Sequence, residues 1–259
     1  MSIDMEVNAN GVALITINRP ERRNALDAAH YEALTDAWTQ VRDNSEIRCA
    51  IITGAGDISF CAGADIKDFV GAKRELAELW LTQKGQLLNR GLEVWKPVIA
   101  AVNGYCIGGG MTLLQATDIR VASPNAEFGL AEVKRGLIAG NGGTQRLLAQ
   151  FPYAVGMKLI LTGDRMSAAD AERWGLVNDV VAQEDLLAKA FEYAEAIAAN
   201  GPLAVQAAKE LVVRSRTLNY TDGLRMEQLI SSILQQQSED VQEGKKAFSE
   251  KRKPNFKGR

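Results

Sequence analysis

Two segments rich in small residues have the composition of loops that bind an anionic oxygen through main-chain N–H groups. Residues 103–114 pass from a strand-like stretch through a triple glycine into an apolar helix, and residues 60–67 follow another apolar run. Small residues let the backbone approach a ligand, and free N–H groups at a helix start attract negative charge. A glycine run also suits a tight turn, but two loops that each present one N–H predict a clamp for a thioester enolate. The small residues are Gly108, Gly109 and Gly110 in the first segment and Ala62, Gly63 and Ala64 in the second.

A single glutamate, Glu132, is the candidate acid and base. It precedes an apolar stretch and a glycine-rich run at residues 140–143. Such surroundings desolvate a carboxylate and raise its pKa toward the working pH. Taken alone, Glu132 fits a surface residue paired with Lys134 or Arg135 better, so its interpretation depends on the other two segments.

Short apolar runs alternate with helical patterns, and this alternation indicates an α/β fold. A helix opens near residues 24–27 and runs to Val41. The pattern after Phe151 is almost entirely helical, and Ser167-Ala168-Ala169-Asp170 is predicted to cap one of these helices. We place a boundary near residue 200, which gives a core at 1–200 and a helical region at 201–259. The apolar face of that region must be buried against the core or a neighbouring subunit. Strands are predicted at residues 12–17, 50–53, 97–102, 118–122 and 127–129.

Composition argues against several other kinds of site. The 30 Lys and Arg residues balance 32 Asp and Glu residues, for a net charge of −2, so nucleic acid is not expected as the main partner. The single histidine, His30, cannot support a multi-histidine zinc site, and its alanine-rich surroundings predict a surface helix. We therefore expect no metal. Neither a Gly-x-Ser-x-Gly element nor the Gly-Lys-Ser/Thr of a phosphate loop is present.

The cysteines and the N-terminal residues indicate a compartment. The three cysteines, Cys49, Cys61 and Cys106, are odd in number and flanked by small or apolar residues, so buried, reduced thiols are expected. The N-terminal residues lack a basic region followed by an apolar run, and no stretch approaches the ~18 apolar residues of a membrane span. We expect a cytoplasmic protein without membrane association.

In this order and spacing, the three segments resemble the crotonase superfamily, the enoyl-CoA hydratase/isomerase family. The resemblance extends from Asn18-Arg19-Pro20 to the closing residues 248–256. It implies a crotonase-like α/β spiral of ββα units with two roughly perpendicular sheets. It also implies a C-terminal helical region for trimerisation, as a homotrimer or a dimer of trimers. The implied substrate is an acyl-CoA, with coenzyme A as the thioester carrier and no permanently bound cofactor.

The resemblance also implies roles for individual positions. Main-chain N–H groups at Ala64 and Gly109 hold the thioester oxygen, and residues of the basic C-terminal tail approach CoA, often from a neighbouring subunit. The implied contacts are Ala62, Ala64 and Ile66 at the adenine, Lys67 at a phosphate, and Phe248 and Lys251 at CoA. The expected substrate-binding set also includes Asp65, Gly108 and Gly140.

Thr112 departs from the family pattern and keeps the reaction open. Family hydratases carry one glutamate at the position of Thr112 and a second at the position of Glu132. A threonine hydroxyl binds water but does not titrate near neutral pH. We expect Ala64, Gly109, Thr112 and Glu132 to form the catalytic group, and slightly favour one-carboxylate isomerisation of a double bond over two-glutamate hydration. The candidate replacement acids are Asp65, Asp68 and Asp118, of which Asp65 and Asp118 match structural positions.

Other functions remain open. A β-ketoacyl-CoA hydrolase or decarboxylase of the same superfamily would also use the enolate clamp, and a non-catalytic acyl-CoA-binding subunit would explain Thr112. RNA binding would need a lysine-rich exposed helix, whereas Lys73, Arg74 and Lys84 are scattered among glutamates. The acyl group depends on the irregular region 69–92, which the sequence does not resolve.

Overall fold

Two β-sheets form the framework of the computed structural model, which describes residues 3–65 and 87–259. The strands are β1 (Ile3–Val7), β2 (Val12–Ile17), β3 (Cys49–Gly54), β4 (Ser59–Cys61), β5 (Val98–Val102), β6 (Tyr105–Ile107), β7 (Ile119–Ala122), β8 (Glu127–Gly129), β9 (Met166–Ser167) and β10 (Asp179–Val180). One sheet has the order β1-β2-β3-β5-β7-β10, and the other has the order β4-β6-β8-β9. The β1–β2 and β8–β9 pairs are antiparallel, and the remaining pairs are parallel.

Helices connect and cover these sheets. They are α1 (Ala28–Asp43), α2 (Gly109–Leu114), α3 (Gly143–Gln150), α4 (Tyr153–Thr162), α5 (Ala168–Arg173), α6 (Leu186–Ala198), α7 (Pro202–Arg214), α8 (Tyr220–Gln237) and α9 (Glu239–Ser249). Short 3₁₀ turns span Pro20–Arg22, Glu132–Arg135 and Gln183–Asp185. The predicted α/β class is therefore confirmed.

The middle strands of the larger sheet are buried on both faces. In β3, Ala50 and Ile52 belong to the main core, whereas Cys49 and Ile51 point to a second core beneath α6. Since parallel strands covered on both sides read as continuous apolar runs, the predicted strand at 50–53 has no polar alternation. α6 packs on this sheet through Ala190 and other small residues at helical spacing.

Several local predictions are confirmed, and one is wrong. The helix predicted to open near residue 27 is α1, whose N-cap Asp27 accepts a hydrogen bond from the backbone of His30. His30 is not at the surface, because its side chain lies on the inner face of α1, with Nδ1 2.6 Å from Asp27 Oδ1 and only 4% of the residue exposed. The predicted cap of α5 is also present, since Ser167 Oγ accepts from Asp170 N.

The three cysteines are buried and unbridged, as predicted. Burial raises the pKa of the Cys49 and Cys61 thiols to about 12. The thiolate form is therefore strongly disfavoured, and these side chains act as small apolar core residues.

The C-terminal helices α7 and α8 are more exposed than the helices that pack on the sheets. No residue of α7 or α8 is buried, and α8 exposes Leu224, Leu229 and Ile233. The tail beyond α9 returns to the core, where Arg48 Nη2 donates to Phe256 O at 2.9 Å. No helix in the described ranges has both the length and the apolar character required to cross a bilayer.

Candidate active site

Ala64 is held by a short backbone ladder to the segment that precedes α1. Leu26 N donates to Gly63 O, and Asp65 N donates to Leu26 O, each at 2.8 Å, which makes Leu26 and Ala64 a parallel bridge. In parallel pairing, the residue between two such bonds directs its own N–H to the other side. The N–H of Ala64 therefore points away from Leu26, and it donates no hydrogen bond to any residue that the structure describes.

The Ala64 loop and the triple glycine meet backbone to backbone. A Cβ on Gly109 would lie 3.3 Å from Ala64 N, and a Cβ on Gly63 would lie 2.9 Å from Gly109 N. Gly63 also has a φ of +94°, so this position requires glycine. Gly109 is the first residue of α2, and its N–H lacks a helical acceptor. The geometry thus brings two free N–H groups together, as an oxyanion hole requires.

Glu132 stands next to this pair of loops, at the start of a 3₁₀ turn. Its Oε1 lies 3.4 Å from the position that a Cβ on Gly108 would occupy. Its Oε2 is buried and has no hydrogen-bond partner among the described residues. Burial raises the pKa of this carboxyl, opposed by its own backbone N–H and by the charge of Arg135. The surface ion pair considered for Glu132 is not formed with Lys134, whose Nζ instead binds Asp164 Oδ1 at 2.9 Å.

Thr112 is buried against the triple glycine and belongs to a polar pair. Its Oγ donates to Gly109 O at 3.0 Å and accepts from Asn89 Nδ2 at 3.1 Å. Asn89 is itself buried, and its Oδ1 lacks a partner among the described residues. The position expected to hold a second acid is therefore occupied by a hydroxyl bound to an amide.

A small pocket opens beside Gly109 and Thr112. Leu26, Leu34 and Leu87 contribute apolar wall, and Asn89 and Thr112 contribute the polar part next to Gly109. Pockets that orient a mostly apolar ligand by a few polar groups have this composition.

The sequence matches the family model described as enoyl-CoA hydratase/isomerase over residues 7–259. The chain belongs to the enoyl-CoA hydratase/isomerase family. It is 44% identical over 258 residues to (E)-benzylidenesuccinyl-CoA hydratase of Thauera aromatica, and 40% identical over 266 residues to carnitinyl-CoA dehydratase of Salmonella typhi; each alignment covers 100% of both chains. The solved structure of an enoyl-CoA hydratase from Bacillus anthracis, 37% identical, matches with a TM-score of 0.91 over 100% of both chains.

These matches confirm two of the expectations from sequence. The chain has the crotonase fold of the solved hydratases, and it is an acyl-CoA enzyme of the hydratase/isomerase type. They leave the individual site residues as predictions.

The remaining predicted positions lie in separate loops and at the end of α9. Ala62 N is bound to Arg23 O, Gly140 is exposed in its loop, and Phe248 is 88% exposed at the end of α9. Lys251 follows α9 with a φ of +55°. The predictions at Ile66, Lys67 and Asp68, the basic residues Lys73, Arg74 and Lys84, and most of the region 69–92 lie outside the described residues.

The two described candidates for a replacement acid are held in ion pairs. Asp65 Oδ2 lies 3.1 Å from Arg19 Nη1, and Asp118 Oδ2 lies 2.7 Å from Lys209 Nζ and accepts from Val98 N. Both carboxylates therefore support loops and strands of the hydratase/isomerase fold, in agreement with the structural role that their family positions implied.

Sequence reasoning missed two residues of the site. Tyr31 lines the pocket, and its Oη lies 3.4 Å from the position of a Cβ on Gly109. The helical spacing of Tyr31 and Leu34 on the inner face of α1 was the available signal. Asn89 belongs to no motif, and only the fold brings it to Thr112.

Proposed function

We propose that the protein catalyses the reversible hydration of a 2-enoyl-CoA thioester, with Glu132 as its single acid and base. The observation that carries this proposal is the partly buried carboxylate of Glu132, whose Oε2 has no partner among the described residues, beside the N–H groups of Ala64 and Gly109, which donate to no described residue. The hydratase and dehydratase named among the relatives support water addition as the reaction.

The chemistry follows from these groups. The thioester oxygen accepts hydrogen bonds from the N–H groups of Ala64 and Gly109, which draws electron density from C3 of the enoyl group and stabilises the enolate. Glu132 takes a proton from water while the C3–O bond forms, and it returns that proton to C2. One water is consumed, the double bond is lost, and the carboxylate ends in its starting state.

The test is turnover of a panel of CoA thioesters. Crotonyl-CoA, (E)-benzylidenesuccinyl-CoA and carnitinyl-CoA report on hydration or dehydration through the absorbance of the conjugated thioester and the gain or loss of one water in mass. Hydration of at least one enoyl-CoA is expected. Release of free CoA from a β-ketoacyl-CoA would instead identify a hydrolase, loss of CO₂ would identify a decarboxylase, and binding without turnover would identify a binding subunit.

A second candidate reaction is isomerisation of a 3-enoyl-CoA to a 2-enoyl-CoA. Thr112 favours it, because moving a double bond needs one carboxylate to carry a proton between two carbons. The reaction changes the absorbance without changing the mass, so the same panel, extended by a 3-enoyl-CoA, separates isomerisation from hydration.

The C-terminal region is proposed to complete the CoA site and the oligomer. Phe248 is almost fully exposed at the end of α9, and α8 exposes Leu224, Leu229 and Ile233. We assign Phe248 and Lys251 to CoA and expect a homotrimer or a dimer of trimers. Light scattering gives the mass of the assembly, and Lys251→Ala should raise KM for acyl-CoA at unchanged kcat. The three buried, unbridged thiols support a cytoplasmic location.

A further inference from the structure

Asn89 is the buried polar residue of the pocket that the proposed reaction has not yet used. It is 6% exposed, it lines the pocket with Gly109 and Thr112, and its Oδ1 has no partner among the described residues. Leaving a buried amide oxygen unpaired is unfavourable. An unpaired oxygen on a pocket-lining residue therefore points to a bound group that donates a hydrogen to it.

The hydrogen bonds around Asn89 fix the orientation of its amide. The single hydroxyl proton of Thr112 goes to Gly109 O at 3.0 Å, so Thr112 Oγ is left as an acceptor toward Asn89. The amide therefore turns its NH₂ toward Thr112, at 3.1 Å, and leaves Oδ1 free. The orientation of the Asn89 amide therefore depends on the Thr112 hydroxyl and on its hydrogen bond to Gly109 O.

The backbone of Asn89 is held as firmly as its side chain. Arg146 Nη1 donates to Asn89 O at 3.1 Å and to Asn141 O at 2.9 Å, so one guanidinium joins the two loops at the pocket. Burial lowers the pKa of Arg146, with a smaller contribution from the charge of Arg216. Asn89 is thus fixed at its carbonyl and at its amide nitrogen, and the one group of its side chain without a partner is the acceptor Oδ1.

A water that attacks C3 must direct a lone pair at carbon, so both of its hydrogens need acceptors elsewhere. Glu132 accepts the hydrogen that is transferred. The second hydrogen requires another acceptor. Thr112 Oγ donates its proton to Gly109 O and already accepts one hydrogen bond from Asn89, whereas Asn89 Oδ1 accepts none from the described residues. Asn89 Oδ1 is a buried acceptor that meets this requirement.

We propose that Asn89 Oδ1 binds the reacting water by accepting its second hydrogen, and that Thr112 is the positioning residue that orients the Asn89 amide. This inference rests on the proposed hydration. In the step, the water O–H bond to Glu132 breaks and the C3–O bond forms. The O–H bond that donates to Asn89 is retained in the product hydroxyl.

The experiment compares hydration with a reaction that needs no attacking water. Exchange of the α-hydrogens of butyryl-CoA in D₂O uses the two N–H groups and Glu132 alone. We expect Asn89→Leu to lower kcat for hydration by about 10²-fold, the scale of one preorganised hydrogen bond in a transition state. KM and the exchange rate should stay within about threefold of the wild type, since neither depends on the water.

Further variants separate positioning from structural damage. Asn89→Asp keeps an oxygen acceptor for the water, so its kcat for hydration should stay within about tenfold of the wild type. Thr112→Val should lose hydration but not exchange, and Thr112→Ser, which keeps the hydroxyl, should restore hydration. Asn125→Leu is the matched control, because Asn125 is exposed and bonded to Asp57 O away from the pocket.

The outcomes distinguish this inference from the proposed function. With hydration by the wild-type enzyme present, Asn89→Leu at full hydration rate would overturn the water-binding role and leave the function intact. Loss of both hydration and exchange in Asn89→Leu would also overturn it, because it would show a structural role at the oxyanion loops. If the wild type adds no water to any enoyl-CoA offered, the proposed function fails, and the role of Asn89 in it fails as well.

Discussion

Replacing Glu132 with glutamine tests the acid–base role and the electrostatic cost of the site together. The carboxylate is partly buried, its Oε2 lacks a partner among the described residues, and burial raises its pKa. Glutamine keeps the shape but cannot take a proton from water. We expect kcat to fall by at least about 10²-fold, equivalent to about 2.7 kcal/mol of transition-state stabilisation. Binding of butyryl-CoA, which needs no proton transfer, should be unchanged.

The same substitution should stabilise the folded protein at neutral pH. Because the pKa of Glu132 is higher in the folded than in the unfolded chain, stability is lost as the pH rises from the unfolded-state pKa to the folded-state pKa, and the full penalty applies above the latter. The penalty vanishes below the unfolded value of about 4.3. Glu132→Gln should therefore unfold at higher urea than the wild type at pH 8 and at nearly equal urea at pH 4. The acidic limb of the wild-type rate profile should lie above the ordinary glutamate pKa for the same reason.

The assays are loss of enoyl absorbance for kcat, titration of butyryl-CoA for binding, and urea unfolding at the two pH values. Glu6→Gln, on the exposed part of β1, is the matched control and should change none of them. Full turnover by Glu132→Gln on the true substrate would refute the assignment of the acid and base. A variant that unfolds at lower urea than the wild type at pH 8 would refute the electrostatic reasoning.

Three further substitutions test the loops, the missing acid and the core. Gly109→Ala places a methyl 3.3 Å from Ala64 N, in the space of the thioester oxygen, and should lower kcat/KM by about 10²-fold or more with little change in urea midpoint. Thr112→Glu should raise crotonyl-CoA hydration by about tenfold or more by supplying a second acid, and a folded variant without any gain would indicate a pocket built for different chemistry. Burial lowers the pKa of Arg120 to about 10, and its guanidinium donates to three backbone carbonyls, so Arg120→Met should cost about 3 kcal/mol or more in urea unfolding, while the folded fraction keeps its kcat.

The sequence predicted those parts of the fold whose cause is local. The apolar run at 50–53 predicts β3 because both faces of that strand are covered, and Ser167 predicts the start of α5 because its hydroxyl caps the helix. Strands β9 and β10 were not predicted, because each has only two residues and is too short to show a periodic pattern. His30 was placed at the surface because its neighbours are alanines, whereas the tertiary packing of α1 determines which face of the helix is buried.

The residues of the candidate site show the same difference between features with a local cause and features that depend on tertiary packing. Glycines mark where backbones approach closely, so the two loops were visible in the sequence. Glu132 was a candidate from its apolar and glycine-rich surroundings, and the resemblance to a family gave the three segments their expected roles. The acceptor at Asn89 was not visible, because its meaning depends on a hydroxyl 23 residues away and on the carbonyl to which that hydroxyl is bound. A hydrogen-bond chain of this kind leaves no spacing pattern in the sequence.

The position of the Ala64 loop also depends on distant residues, and these contacts support the proposed role of the loop as an oxyanion donor. Arg19 Nη1 lies 3.1 Å from Asp65 Oδ2 and 3.3 Å from Asp27 Oδ2, so one guanidinium joins the loop to the N-cap of α1. Together with the bridge to Leu26, this ion pair fixes the direction of the Ala64 N–H before substrate arrives. An oxyanion donor lowers a barrier to the extent that it needs no reorganisation during the reaction. In the proposed reaction the carboxylate of Asp65 holds a hydrogen-bond donor in place, so we do not expect it to replace the glutamate that is absent at position 112.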